Sequence, residues 1–371
     1  MADLPNRDLA IDVMRGMTLA LMIVVNMSIS ETQSYAPLLH AAWHGLTLTD
    51  VVFPSFLFVV GAAMSVTMDK LAALPPGQAL ARIARRSALI FLCGFLLYWF
   101  PFFSIDAAGN WSLRPLSEAR LLGVLQRIGL AYGLAALLIL HGGQRGVLWF
   151  SAAALALNAW VLATFGDLTL AGNAALKIDL AVLGAPHLYK GEGIPFDPEG
   201  LLGTLPATVN VLAGWWAGRQ LRQAGKSHEV TARLFMWGAL AILAALSWHA
   251  VQPINKKLWT SAYTLCGIGI DLMVLATLVE LIDLRGWRAG TRFFVVFGRN
   301  TLFIYLLAEV AMSVLWITHV GKPSAMEWVY AQAFQSWAGD KPGSLLFALA
   351  FTLACWSVGW VLDRRRIYIR L

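Results

Sequence analysis

The sequence predicts an all-α polytopic integral membrane protein, and three observations carry that prediction. Of 371 residues, 58% are apolar and only 13% are charged, about half the roughly 25% charge of a soluble domain. The apolar residues gather in runs near the ~20 residues that span hydrocarbon, and the mean hydropathy is +0.66. The 16 Trp suit the aromatic belts of a bilayer interface better than a soluble core. Ten spans are expected, near residues 11–30, 48–68, 86–104, 119–140, 147–165, 201–221, 234–252, 261–283, 293–317 and 344–362. Pro54 and Gly61 inside the second are tolerable because neighbouring helices satisfy freed backbone groups.

Only a short polar lead precedes the first run, with no small-residue cleavage site, so that run reads as a retained helix. Of the 28 Lys and Arg, eight fall in the loops of one face: Arg114, Arg120, Lys177, Lys190, Lys256, Lys257, Lys322 and Lys341. Arg127 lies inside the fourth segment, and the remaining 19, from Arg7 to Arg370, belong to the other face. The positive-inside rule makes that face cytoplasmic, with both termini on it. The same rule accounts for the net charge of +7 without invoking nucleic acid. The longer outer loops are 166–200, with Asp167, Asp179, Glu192, Asp197 and Glu199, and 318–343, rich in aromatics. Cys93, Cys266 and Cys355 lie in apolar segments without metal or redox spacing and read as packing residues. No repeat or separate soluble domain interrupts residues 1–371.

Polar groups at membrane depth are expensive and mark sites. His40 occupies a polar break between the first two segments, just outside the first, in a stretch from Glu31 to Gly45 that lacks Lys and Arg. A histidine there can exchange protons near neutral pH or attack an acyl donor; helix capping or a bond to a loop carbonyl would equally use it. Trp43 suits an interfacial anchor. His44 is one turn on, but two histidines are a weak metal signal, and no metal is expected. Asn26, near the outer end of the first segment, suits orientation of a substrate, an oxyanion contact or an interhelical hydrogen bond. Asp12 and Arg15 are three apart and read first as an ion pair. Arg127 needs an acid, an anion or water at its depth. Asp50, Asp271, Glu280 and Glu309 are candidate partners, and phosphate is the functional alternative. Asp197 and Glu199 suit the start of the sixth helix, and Pro253–Thr260 the turn into the eighth. Asn300 fits either helix packing or a ligand contact; Asp271 and Glu309 carry no assignable role. Without a GxSxG, P-loop or GxGxxG in context, these residues suit a transporter as well as an enzyme.

Five segments in order resemble one family: Ile11–Gly16, His40–Pro54, Gly123–Gly129, Phe196–Gly200 and Asn255–Trp259. They are similar to the heparan-α-glucosaminide N-acetyltransferases, transmembrane acyltransferases, and to the shorter bacterial NagX-like members. The resemblance runs over nearly the whole chain. It implies transfer of acetyl from cytoplasmic acetyl-CoA to a glucosamine-type amino sugar on the periplasmic side of a bacterial inner membrane, by a homodimer. It matches His40 to the family's catalytic histidine and Asn26, as its partner, to the active-site asparagine. Arg127 corresponds to an arginine of the coenzyme-binding core, and Asp12 and Arg15 to the first-helix motif. Trp43, His44, Asp50 and Asn300 fall to the substrate. His40 would serve as base or as acyl carrier. The chain departs from the lysosomal pattern in lacking the luminal region and its span, in having His44 where that enzyme resembles Asn, and in a longer stretch between Asn26 and His40. A bacterial envelope or scavenged amino sugar is therefore the expected acceptor. The competing reading is a sugar or anion transporter with a proton-relaying His/Asp network.

Overall fold

A computed structural model describes residues 8–105 and 110–369; Arg7 and Arg370 of the charge tally lie outside them. The chain is all-α, as the sequence predicts. Its helices are α1 (Leu9–Asn26), α2 (Leu48–Ala72), α3 (Pro76–Trp99), α4 (Val124–Thr164), α5 (Ala174–Val182), α6 (Leu201–Gln223), α7 (His228–His249), α8 (Ser261–Leu278), α9 (Thr291–Arg299), α10 (Thr301–Ile317), the short α11 (Ala325–Tyr330) and α12 (Ser336–Ala338), and α13 (Asp340–Arg364). Among the described residues the only sheet is a hairpin, in which β1 (Phe103–Ile105) pairs antiparallel with β2 (Trp111–Leu113).

Every predicted span falls on a helix, but not one for one. Six helices are long and apolar enough to cross a bilayer, or seven if α9 and α10 form one span bent by 83° at Asn300. The fourth and fifth predicted spans run together as α4, whose 41 residues would extend for roughly 60 Å at 1.5 Å per residue. Gly143, with φ +55°, breaks that helix at a conformation that favours glycine. The third starts ten residues earlier than its apolar stretch, because Arg82, Arg85 and Arg86 lie on its first turns; charge hid the helix from a hydropathy reading.

Burial separates centre from periphery. The apolar windows of α1, α2 and α8 are 67, 61 and 56% buried, against 28% for α4, α7 and α13. The inner helices pack by close backbone approach: a Cβ on Gly61 of α2 would lie 1.8 Å from the Val211 carbonyl of α6, and one on Gly214 1.8 Å from the Phe58 carbonyl. Small residues at such crossings let dispersion hold helices together where lipid removes the hydrophobic drive. Beyond the α2 N-terminus the connecting loops form a layer of their own. The Gly45 amide donates to Ile254 O at 2.9 Å, and the Leu121 amide to His187 O at 3.2 Å. This layer carries His40; Arg15 lies towards the opposite end of the bundle.

Candidate active site

The site is built on the start of α2. Thr47 and Asp50 form a capping box in which each side chain meets the other's backbone, an arrangement that satisfies otherwise orphaned helix donors. Asp50 is 1% exposed. Its Oδ2 accepts from the Ala41 amide (3.1 Å), the Thr47 amide (2.9 Å) and the Thr47 hydroxyl (3.0 Å). Its Oδ1 meets His40 Nδ1 at 2.7 Å. An ionised carboxylate only accepts, so Nδ1 carries the proton and Nε2 presents its lone pair. The orienting carboxylate of a catalytic triad acts on its histidine in the same way. The Tyr263 hydroxyl anchors the Asp50 carbonyl at 2.6 Å.

At the free side of the ring, Lys256 Nζ lies 3.3 Å from His40 Nε2. Burial pulls the Lys256 ammonium below its usual value, against the pull of Glu199 and Asp50. Lys257 turns away, to Glu192 at 2.6 Å and the Ala42 carbonyl at 3.1 Å. His44 meets the buried Asn255 amide at 3.2 Å; burial, then the nearby His249, lowers its pKa. Trp43 donates to the Leu168 carbonyl at 2.7 Å and leans on Phe196, so it is tied into the loop layer.

Next to this lies a clamp around residues 196–200. Arg120 reaches Asp197 with both Nε (2.9 Å) and Nη2 (2.7 Å), and Glu199 with Nη2 (2.7 Å). Its guanidinium sits between the rings of Tyr98 and Tyr189, 4.5 and 4.7 Å from their centroids. Burial alone would raise the Glu199 carboxyl, but Arg120, Lys256 and Arg127 outweigh it and hold the group below its usual value. Arg127 donates to the Gly200 carbonyl at 2.8 Å and lies 4.7 Å over the Trp259 ring. None of the four acids considered as its partners takes that role: Asp50 holds His40, Glu309 accepts from Asn26, and Glu280 pairs with His228 and Arg285. Asp271 is buried and, among the described residues, forms no ion pair. Asp179 caps α6 through the Leu201 amide at 2.9 Å, and burial raises its pKa to about 6.

A second feature opens towards the other end of α2. A cavity of about 340 Å³ runs between α1, α2, α3, α4 and the α9–α10 bend. Arg15, Arg86, Arg299 and Thr67 give it polar groups, and Phe56, Val59, Val60, Ile90 and Ile128 line its wall. Arg15 keeps the expected pair with Asp12 at 3.0 Å and also donates to the Gly298 carbonyl at 3.2 Å. The Nε atoms of Arg86 and Arg299 are buried without a protein partner. From Thr67 to Phe56 is 11 residues of α2, or ~16 Å of rise, and Asp50 lies ~9 Å further on.

The sequence-derived residues thus separate into groups. His40, Asp50, Trp43 and His44 stand in one loop region, with Asp50 rather than Asn26 as the hydrogen-bond partner of His40. The Asn26 amide donates to Glu309 at 2.7 Å. Arg15 lines the cavity and Arg127 does not. Asn300 binds the backbone of the C-terminal segment at both ends of its amide, Ile367 O at 3.0 Å and Ile369 N at 2.9 Å. It therefore pins the α9–α10 bend, beside the cavity residue Arg299 rather than beside His40. Among the described residues no group of three or more His, Cys, Asp or Glu is arranged to hold a metal ion.

The model of one protein family, described as heparan-alpha-glucosaminide N-acetyltransferase, catalytic, matches residues 7–252, about two-thirds of the chain. The chain belongs to that family. Two curated relatives carry the name heparan-alpha-glucosaminide N-acetyltransferase. The human protein is 29% identical over 369 residues, covering 83% of this chain and 53% of its own length. The mouse protein is 28% identical over 367 residues, covering 82% and 54%. The chain spans about half the length of the curated relatives it matches. In this family member His40, Asp50, Arg120 and the 196–200 clamp lie within the matched catalytic region, while Lys256, Arg299 and Glu309 lie beyond it. Sequence reasoning missed Lys256, Arg120, Arg86 and Arg299 as site residues. Lys256 had a signal, since Asn255–Trp259 was one of the five resembling segments. The arginines had none, because each was counted towards topology, Arg86 and Arg299 to the basic face and Arg120 to the other.

Proposed function

We propose that the chain is a transmembrane acetyltransferase that moves acetyl from acetyl-CoA to the amine of a glucosamine-type sugar, with His40 as the catalytic base. The observation that carries this reading is the Asp50–His40 pair, which holds the proton on Nδ1 and turns the Nε2 lone pair outward, where the Lys256 amine at 3.3 Å marks the place an acceptor amine would take. An amine attacks a thioester only as the free base. His40 Nε2 takes the amine proton as the N–C bond forms, Asp50 stabilises the resulting imidazolium, and the proton passes on to the departing thiolate. Asn26 stands as the second polar contact for substrate, its amide oriented by Glu309.

Acetyl-CoA is held in the cavity through Arg15, Arg86 and Arg299, whose forks suit phosphate, with the pantetheine arm along the apolar wall towards Asp50. The two unpartnered Nε donors of the cavity are open to an anion, since a buried donor without a partner is costly, and Arg127 keeps Nε and Nη1 unpartnered outside it. Arg127 contributes from the His40 end by fixing Gly200. With the basic face inside, the coenzyme is drawn from the cytoplasm and the sugar is met on the opposite face. One domain, a bacterial inner membrane and a homodimer complete the reading.

Purified protein with acetyl-CoA and glucosamine should release free coenzyme A, and His40→Ala should abolish the release. No turnover, together with saturable sugar uptake into liposomes, would replace the enzyme by a transporter. Acetyl trapped on His40 without sugar would make the ring an acyl carrier through the same Nε2.

A further inference from the structure

The position that His40 Nε2 offers to an incoming amine is taken up by an amine already present. Lys256 Nζ is 3.3 Å from that nitrogen, and among the described residues it forms no ion pair with a carboxylate. We propose that Lys256 is a self-acetylation site, its side-chain amine accepting acetyl from the thioester donor when no sugar occupies the site. The proposal rests on His40 acting as the base, as argued above. Any approach that brings a thioester carbonyl to an amine bound at Nε2 also brings it to Nζ.

The step balances without a further reagent. Lys256 gives one proton to His40 Nε2 and its freed lone pair attacks the thioester carbon. The N–C bond forms, the C–S bond breaks and the amine loses its second proton. The products are acetyl-lysine, a thiol and one released proton. Burial favours the reacting form, because it pulls the ammonium down, with Arg127 and Lys257 adding to it and Glu199 and Asp50 opposing. Acetylation removes a cation beside Nε2 and leaves an amide where the acceptor amine would bind. An enzyme charged with donor but starved of acceptor therefore silences itself. The adjacent Lys257 is the internal control, because its amine is engaged by Glu192 at 2.6 Å and by the Ala42 carbonyl.

The test uses the purified full chain in detergent with acetyl-labelled coenzyme A and no sugar. Fragmentation mass spectrometry assigns the label between the two neighbouring lysines. Turnover with glucosamine is measured on the same preparation. Label should accumulate on Lys256, not on Lys257, and about 100-fold more slowly in His40→Ala, the usual scale for loss of a general base. His40→Gln serves if the alanine variant does not fold, and the Lys256 to Lys257 comparison needs no variant. Turnover with an unlabelled Lys256 overturns the inference alone, as does equal labelling of both lysines or labelling independent of His40. A preparation that neither turns over nor labels overturns the function on which the inference rests.

Discussion

Replacing Asp50 by Asn tests the site at its most specific point. The carboxylate receives three donors on Oδ2, from Ala41 and from the amide and hydroxyl of Thr47, and only His40 on Oδ1. An amide has one oxygen to offer. It stays on the side with three donors, so the new NH₂ faces His40 Nδ1. Two N–H groups cannot face each other, so the ring moves its proton to Nε2 and Lys256 must turn aside or meet it as the free amine. Nε2 then cannot take a proton from a substrate. The expected loss in kcat is 10²- to 10⁴-fold, between the loss of a general base and the wrong-tautomer effect in a triad, or about 2.7–5.4 kcal/mol. Stability should fall far less, by about 1 kcal/mol, since the α2 cap keeps an acceptor and loses only its charge. The assay is thiol release from acetyl-CoA with glucosamine, beside thermal unfolding of the same sample in detergent. More than a tenth of wild-type kcat in a folded Asp50→Asn protein would refute the tautomer argument.

Three more outcomes are expected. Arg86→Ala removes a guanidinium with an unpartnered Nε from the cavity, and KM for acetyl-CoA should rise about 10- to 100-fold with kcat little changed, the scale of one charged hydrogen bond; an unchanged KM would move the coenzyme elsewhere. Gly61→Ala sets a Cβ 1.8 Å from a backbone oxygen of α6 and should lower the melting temperature by more than the ~1–3 kcal/mol of ordinary overpacking, so a variant as stable as the parent contradicts the packing described. Asp179 has a folded pKa of about 6, raised by burial first and then by Asp197, against an unfolded value near 3.9. It binds its proton more tightly when folded, so its stabilising contribution is complete below pH ~4 and is lost as pH rises through 6, by about 3 kcal/mol. Asp179→Asn should flatten the melting temperature across pH 4–7, and a slope equal to the parent's would show that another group titrates.

How far the site was legible follows from the range of each interaction. His40 stood out as a polar residue in the break between apolar segments, whereas Asp50, ten residues on, entered only as a candidate partner of Arg127 and, by resemblance, as a substrate residue. The pairing of Nδ1 with Oδ1 was not readable, because loop conformation fixes it. Arg127 was recognisable as a buried charge in need of a partner, but its partners are a carbonyl and an indole from distant segments. A search for acids therefore returned the wrong residues. Asn300 followed the same course: an amide at membrane depth is conspicuous, yet only the position of the C-terminal segment shows that both of its ends are engaged there. Asn26 also needed the fold, since Glu309 meets it across 283 positions of sequence.

By itself the sequence determined the class of the molecule, because insertion in a bilayer depends on apolar length and charge, both additive along the chain. It also determined the family and the loop that holds His40, since ordered local segments survive divergence. The tertiary structure decided what those residues do. It brought Lys256 from the turn before α8 to the outward face of His40, gathered Arg15, Arg86 and Arg299 from three helices around one cavity, and bent the α9–α10 pair where a hydropathy profile runs straight. Each depends on contacts between residues far apart in the chain, whose geometry is set by helix packing and carries no local signature.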